Sequence, residues 1–177
     1  VLRAMNRHGD GATIREVVKR LRREIPDITI RTTFIVGFPG ETEQDFEELC
    51  EFVEEARFEH MGVFTYSPEE GTPAGAMKNQ IDEQVKQDRM DILMKAQMQI
   101  NAEQNEEKIG STVRVLVDGF DPVSETHFGR TAADAPDIDG KIYFRSDCRV
   151  AEGSMLDVKV REVMDYDLIG RAIIPKQ

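Results

Sequence analysis

The sequence predicts a mixed α/β architecture in three parts: the end of a larger parallel α/β domain over residues 1–80, a long connecting helix over 81–109, and a small all-β barrel over 110–177. Three observations carry this. Up to Tyr66, helical apolar periods alternate with short β-rich runs; from Asp82 to Lys108 there is neither Gly nor Pro; and beyond Gly110 the apolar period becomes two.

From Thr13 onward, Ile14, Val17, Val18, Leu21 and Ile25 follow helical spacing, Thr13 and Glu16 match a capping box, and Pro26 stops the run. Ile28 to Val36 is rich in Ile and Thr and too short for a typical helix, so it reads as a strand, ending abruptly at Gly37-Phe38-Pro39-Gly40. Thr42 and Asp45 match a second capping box. Behind them Phe46, Leu49, Cys50 and Val53 trace one helical face, while Glu47, Glu48, Glu51, Glu54 and Glu55 fill most of the rest. Met61 to Tyr66 is the next strand, closed by Ser67-Pro68 and a loop through Gly71, Pro73 and Gly75. Helix, strand, helix, strand with connections of this size implies parallel strands joined by right-handed crossovers. Two such units cannot close a barrel by themselves.

Within the long helical run, Val85, Ile92, Leu93, Ala96 and Ile100 recur at helical intervals, and the Met90, Met94, Met98 series reads as packing. Past Gly110, Val113, Val115 and Val117 alternate with Arg114 and Leu116; Ile142-Tyr143-Phe144 and then Val158 and Val160 give further strand signals. Glycines between these runs point to a barrel of about five strands that closes its own edges.

Of the 177 residues, 23 are Lys or Arg and 34 Asp or Glu, a net charge of −11, with 40% apolar content in periodic groups; wholesale disorder is excluded. No apolar run approaches the ~20 residues of a membrane span. Cys50 and Cys148 are far apart and match no metal or redox spacing, which argues against a disulfide scaffold and fits a reducing cytoplasm; His8, His60 and His127 are too scattered for a zinc set. The chain opens at Val1 within apparent structure, so a fragment is expected. Residues 1–40 hold 8 basic and 4 acidic side chains, residues 41–70 hold 1 and 11, and residues 110–177 hold 9 and 12.

The sharpest local feature is Thr33-Phe34-Ile35-Val36-Gly37-Phe38-Pro39-Gly40-Glu41-Thr42, a strand running through a Gly/Pro turn into a capped helix. Ligands of parallel α/β folds gather at the carboxyl ends of strands. Alone, the segment reads as an ordinary tight turn with Gly at positive φ. A second loop, Tyr66 to Ala74, follows the next strand and would lie beside the first; its Glu69 and Glu70 read as solvated carboxylates rather than an acid/base pair. Asp134, Asp137 and Asp139 ahead of Gly140 lack the spacing of a calcium loop, so an acidic turn is expected, with contact to a basic partner as its functional reading.

Taken together, RTTFIVGFPGETEQDFEEL, then GVFTYSPEEGTPA, then a long helix and a small β-barrel resemble the C-terminal half of the radical S-adenosylmethionine methylthiotransferases, and the opening VLRAMNR is similar to the stretch after the middle strands of their radical domain. The resemblance implies that residues 1–80 are the last part of a partial parallel radical-domain barrel and that the all-β part is a TRAM domain, OB-like in build. It implies S-adenosylmethionine and two 4Fe-4S clusters as cofactors of the full-length protein, with the cluster-ligating cysteines absent from this chain. It implies cofactor contacts at Thr33, Ile35, Val36 and Gly37, where the strand end packs on the adenine, and at Tyr66 and Ser67, which meet the adenine through backbone groups. Thr33 stands where a glycine is common in other radical enzymes. No catalytic residue and no metal ligand is carried over. GRTAADAPDIDG most resembles the branch that adds a methylthio group to an aspartate of a small-subunit ribosomal protein, after a 5'-deoxyadenosyl radical removes hydrogen; its near relatives modify tRNA.

Charge bears on that choice. RNA affinity rests largely on phosphate neutralisation, and the barrel segment, with 9 basic and 12 acidic residues, lacks a dense Lys/Arg run. An acidic surface suits a basic ribosomal protein, so Asp134, Asp137 and Asp139 are the expected substrate contacts. A tRNA methylthiotransferase is the alternative enzyme, and a non-catalytic module that binds protein or RNA is the alternative of another class.

Overall fold

A computed structural model describes residues 1–174. It divides into two compact units, Val1–Ile100 and the residues from Asn101 onward. The elements of the first are α1 (Gly11–Glu24), β1 (Arg31–Val36), α2 (Glu43–Ala56) and β2 (His60–Thr65); α3 (Glu83–Glu107) begins in the first unit and ends in the second.

Helix α1 starts earlier than the Thr13–Glu16 pattern predicts. Asp10 is its N-cap, and the carboxylate accepts from the Thr13 N–H and the Thr13 Oγ1–H, both at 2.8 Å. A carboxylate facing the positive helix start binds more strongly than a hydroxyl, so Asp10 displaces the weaker cap. The strand expected from Ile28 begins only at Arg31. Its partner starts at His60, and the residues before Arg31 are drawn into a turn: the Ile28 N–H donates to the Ile25 carbonyl (3.0 Å) and the Ile30 N–H to Glu59 Oε2 (2.8 Å). Arg22 holds Glu59 in place by donating from Nη1 to its Oε1 at 2.8 Å, and from Nη2 to the carbonyls of Ala56 and Arg57.

β1 and β2 pair in parallel, with Thr33 opposite Gly62, Ile35 opposite Phe64 and Val36 opposite Thr65. One face carries Phe34, Val36, Met61 and Val63 into a core completed by Phe46 and Val53 of α2, Phe58, and Leu93 and Ile100 of α3. The Thr42–Asp45 capping box forms as expected, and Arg57, at φ 45°, ends α2 in the left-handed conformation. Asp82 caps α3 through the Gln84 N–H (2.8 Å). The buried face of α3 is Lys86, Arg89, Leu93, Gln97 and Ile100, whereas Val85 and Ile92 are exposed, contrary to the sequence pattern; Met90 packs on the core, but Met94 and Met98 do not.

The second unit is a closed five-stranded barrel in the order β3 (Thr112–Asp121), β4 (Thr126–Arg130), β5 (Ile142–Arg145), β7 (Asp167–Ile173) and β6 (Met155–Met164), with β6 pairing back to β3. Alternating residues Val115, Val117, Ile142, Phe144, Val158, Val160 and Leu168 fill the interior. Register shifts at Val117/Gly119 and Val160/Glu162 bend the long strands far enough to close the ring. At Gly129 a Cβ would strike the Leu116 carbonyl, so the backbones approach there in a way that only glycine permits.

Candidate functional site

The loops after β1 and β2 emerge side by side, because the strands are parallel and in register and the Tyr66 N–H extends the ladder by donating to the Val36 carbonyl at 2.8 Å. The face of this two-stranded sheet turned away from the core is apolar and open. Ile35 is 41% and Phe64 63% exposed, Thr33 lies beside them, and Gly62 leaves a gap in the row. Of the residues singled out from sequence, Thr33, Ile35 and Ser67 are exposed; Val36 turns its side chain into the core; Gly37 is buried; and Tyr66 is half-buried.

Gly37 sits at φ +74°, and a Cβ there would run into the Lys86 stem. Its N–H donates to Glu41 Oε1 at 3.0 Å. Glu41 in turn accepts from Arg89 Nη1 at 2.6 Å, and Arg89 Nη2 reaches Glu43 at 3.0 Å while its guanidinium lies over the Phe46 ring, 5.2 Å from the centroid. Glu41 and Arg89 are both buried and paired with each other, which offsets the cost of taking either away from water. Burial works against the Arg89 charge, but hydrogen bonds to Glu43 and Glu41 outweigh it and hold its pKa above the ordinary value.

Lys86 is the third charged group at this end, and only 1% of it is exposed. Its Nζ donates to the Tyr66 carbonyl at 3.0 Å and to Glu83 at 2.5 Å, and lies 5.5 Å from the centre of the Tyr66 ring, which stacks edge-on to Phe38. Sequence reasoning missed Glu41, Lys86 and Arg89. The signal available was a Glu one residue after the Gly/Pro turn; nothing in the helical pattern of α3 marks a lysine or arginine as inward-facing.

Neither cysteine suits a cluster. Burial pushes the Cys50 thiol up, and Glu54, Glu43 and Glu47 push it further, which suppresses the thiolate that iron requires. Cys148 is exposed in the other unit. Among the described residues no group of three or more His, Cys, Asp or Glu side chains could hold a metal.

In the barrel unit, the acidic turn between β4 and β5 brings its three aspartates together in unequal roles. Asp134 accepts from the Thr131 N–H (2.9 Å) and hydroxyl (2.6 Å), and Asp139 from the Ala135 N–H (2.6 Å). These two shape the loop. Asp137, at φ 61°, is exposed at the tip next to Ile138, 76% of which is open.

Residues 1–53 match the radical SAM superfamily and residues 109–173 the TRAM domain. The chain is 44% identical over 171 residues to the ribosomal protein uS12 methylthiotransferase RimO of Alkaliphilus oremlandii, covering 96% of this chain and 39% of that protein. Identity to the RimO proteins of Geobacter sulfurreducens (98% and 39% covered) and Caldanaerobacter subterraneus subsp. tengcongensis (96% and 38% covered) is 47% and 48%. The chain thus spans about two fifths of the length of these relatives. In the radical SAM segment the β1 end, Gly37 and the start of α2 all lie inside the matched residues. No helix among the described residues is long and apolar enough to cross a membrane.

Proposed function

We propose that this chain is part of a cytoplasmic methylthiotransferase that adds a methylthio group to an aspartate of the small-subunit ribosomal protein uS12. The observation that supports this best is the similarity to RimO proteins at 44–48% identity over 96–98% of the chain, which takes in both units. The open face of β1 and β2 suits S-adenosylmethionine. Ile35 and Phe64 offer flat apolar contact for a purine, and Thr33 and Ser67 lie where polar groups can meet its edge. Val36, Gly37 and Tyr66 contribute through backbone position, since the Val36 side chain belongs to the core and Gly37 has no room for one.

When bound, S-adenosylmethionine supplies the radical chemistry that removes hydrogen from an unactivated C–H bond, together with the methyl group of the product. The residues of this chain hold and orient it and exclude water from one side. The two 4Fe-4S clusters are ligated by cysteines outside this chain. Asp134, Asp137 and Asp139 form the contact with uS12, in which Asp137 presents its charge to a basic partner and the other two fix the loop that carries it.

The test is the complete protein, reconstituted with clusters and supplied with S-adenosylmethionine, a reductant, a sulfur source, and either uS12 or tRNA. Mass spectrometry should find the methylthio group on uS12. A modified nucleoside with unmodified uS12 would favour the tRNA alternative, and no product on either would favour the binding module.

A further inference from the structure

We propose that Lys86 is a positioning residue for S-adenosylmethionine: by holding the Tyr66 carbonyl it aims the Ser67 N–H at the adenine. The inference rests on the reading that the ends of β1 and β2 bind this cofactor. It starts from an energetic anomaly. The Lys86 stem fills the space beside Gly37, but methionine or leucine would fill that space without taking an ammonium out of water. The ammonium therefore has to do something that a hydrocarbon cannot. Of the two acceptors it meets, Glu83 is on the same helix and largely exposed, so its carboxylate is well served by solvent. The other is the backbone carbonyl of Tyr66, at 3.0 Å, directly beyond the end of β2.

Fixing that carbonyl fixes the next donor. No peptide bond among the described residues is cis, and in a trans peptide the C=O and the following N–H point in opposite directions. With the Tyr66 carbonyl held toward α3, the Ser67 N–H must point away from α3, and Ser67 is exposed. The Tyr66 N–H is already committed to the Val36 carbonyl, and the Gly37 N–H to Glu41. The next backbone donor beyond the end of β2 is that of Ser67. Lys86 thus acts on the ligand through one peptide plane, and its stem holds Gly37 and the β1 end in register with it.

The experiment uses the complete, cluster-loaded protein and measures equilibrium binding of S-adenosylmethionine and of three analogues in which N1, N3 or N7 of the adenine is replaced by C–H. Each analogue removes one ring acceptor. The wild-type protein should bind one of them about ten-fold less tightly than the natural cofactor, as expected for one lost hydrogen bond in a desolvated site. Lys86→Met should bind S-adenosylmethionine about ten-fold more weakly and no longer distinguish that analogue, with unchanged cluster content. If Lys86→Met does not fold, Lys86→Gln carries the comparison, because its amide stops about one bond short of the Tyr66 carbonyl. Wild-type affinity, or weakened affinity with the discrimination intact, in whichever variant folds overturns the positioning role. Ile35→Asp separates this from the underlying reading: it should weaken cofactor binding whatever Lys86 does, and unchanged affinity there overturns the strand-end site and the role of Lys86 with it.

Discussion

Gly37 shows how a residue can be noticed for one reason and needed for another. Its place at a strand end suggested close approach to a ligand, but its missing Cβ faces the Lys86 stem, and its φ of +74° disfavours any side chain. Gly37→Ala should therefore destabilise the first unit by about 2 kcal/mol, from left-handed backbone strain and overpacking, in denaturant unfolding without any cofactor. Loss of cofactor affinity with unchanged stability would contradict this. The Gly/Pro motif was legible because turn chemistry is local. Lys86, Arg89 and Glu41 were not, because a charged side chain is read as solvated until its partners are seen, and the contacts that bury these three, Lys86 to the Tyr66 carbonyl and Arg89 to Glu41, bridge 20 and 48 residues. A second residue-level prediction concerns Glu59. Burial raises its pKa, but the Arg22 guanidinium and the Ile30 N–H more than offset this and hold the carboxyl below its usual value. A carboxyl depressed in the folded state stabilises above its unfolded pKa of ~4.3, and that contribution is lost as pH falls through the folded value. Glu59→Gln should cost about 1.5 kcal/mol at pH 7 and flatten the acid limb of the stability curve; an acid limb identical to wild type would refute the assignment.

At the scale of elements, the helices were better marked than the strands. The Thr42–Asp45 box was readable because both halves of the motif lie within four residues, and its reciprocal bonds form at 3.1 and 2.8 Å. Thr42→Ala should lower the stability of the first unit by about 1 kcal/mol, measured by chemical denaturation. The start of α1 was misplaced because Asp10 caps from outside the apolar period. The inward face of α3 was misplaced because Lys86, Arg89 and Gln97 occupy it while Val85 and Ile92 look out. In the barrel, β3, β5 and β6 were visible as apolar alternation. β4 and β7 were not, since Gly129 and Gly170 interrupt their patterns at the points where neighbouring backbones come closest. Gly129→Val should cost the second unit about 3 kcal/mol, seen as faster amide exchange in residues 112–173 with exchange in 31–65 unchanged.

For the whole molecule, the proposed roles of the two units are tested separately. The chain offers one suppressed thiol and one exposed thiol, so anaerobic reconstitution of the 177 residues should give no stoichiometric iron or sulfide. A bound cluster would contradict the placing of its ligands elsewhere. In the barrel unit, Asp137→Asn should weaken uS12 association by the complete protein, more at low salt than at high, because screening already suppresses an exposed charge at high ionic strength. Asp134→Asn should act by loosening the loop rather than by its charge, and so with little dependence on salt. The most direct measurement replaces the matching segment of the Geobacter sulfurreducens relative with this chain, expresses the hybrid in cells lacking their own enzyme, and determines the intact mass of uS12. The account predicts uS12 carrying one methylthio group; unmodified uS12 from a folded, cluster-loaded hybrid, or a methylthio group on tRNA instead, would contradict it.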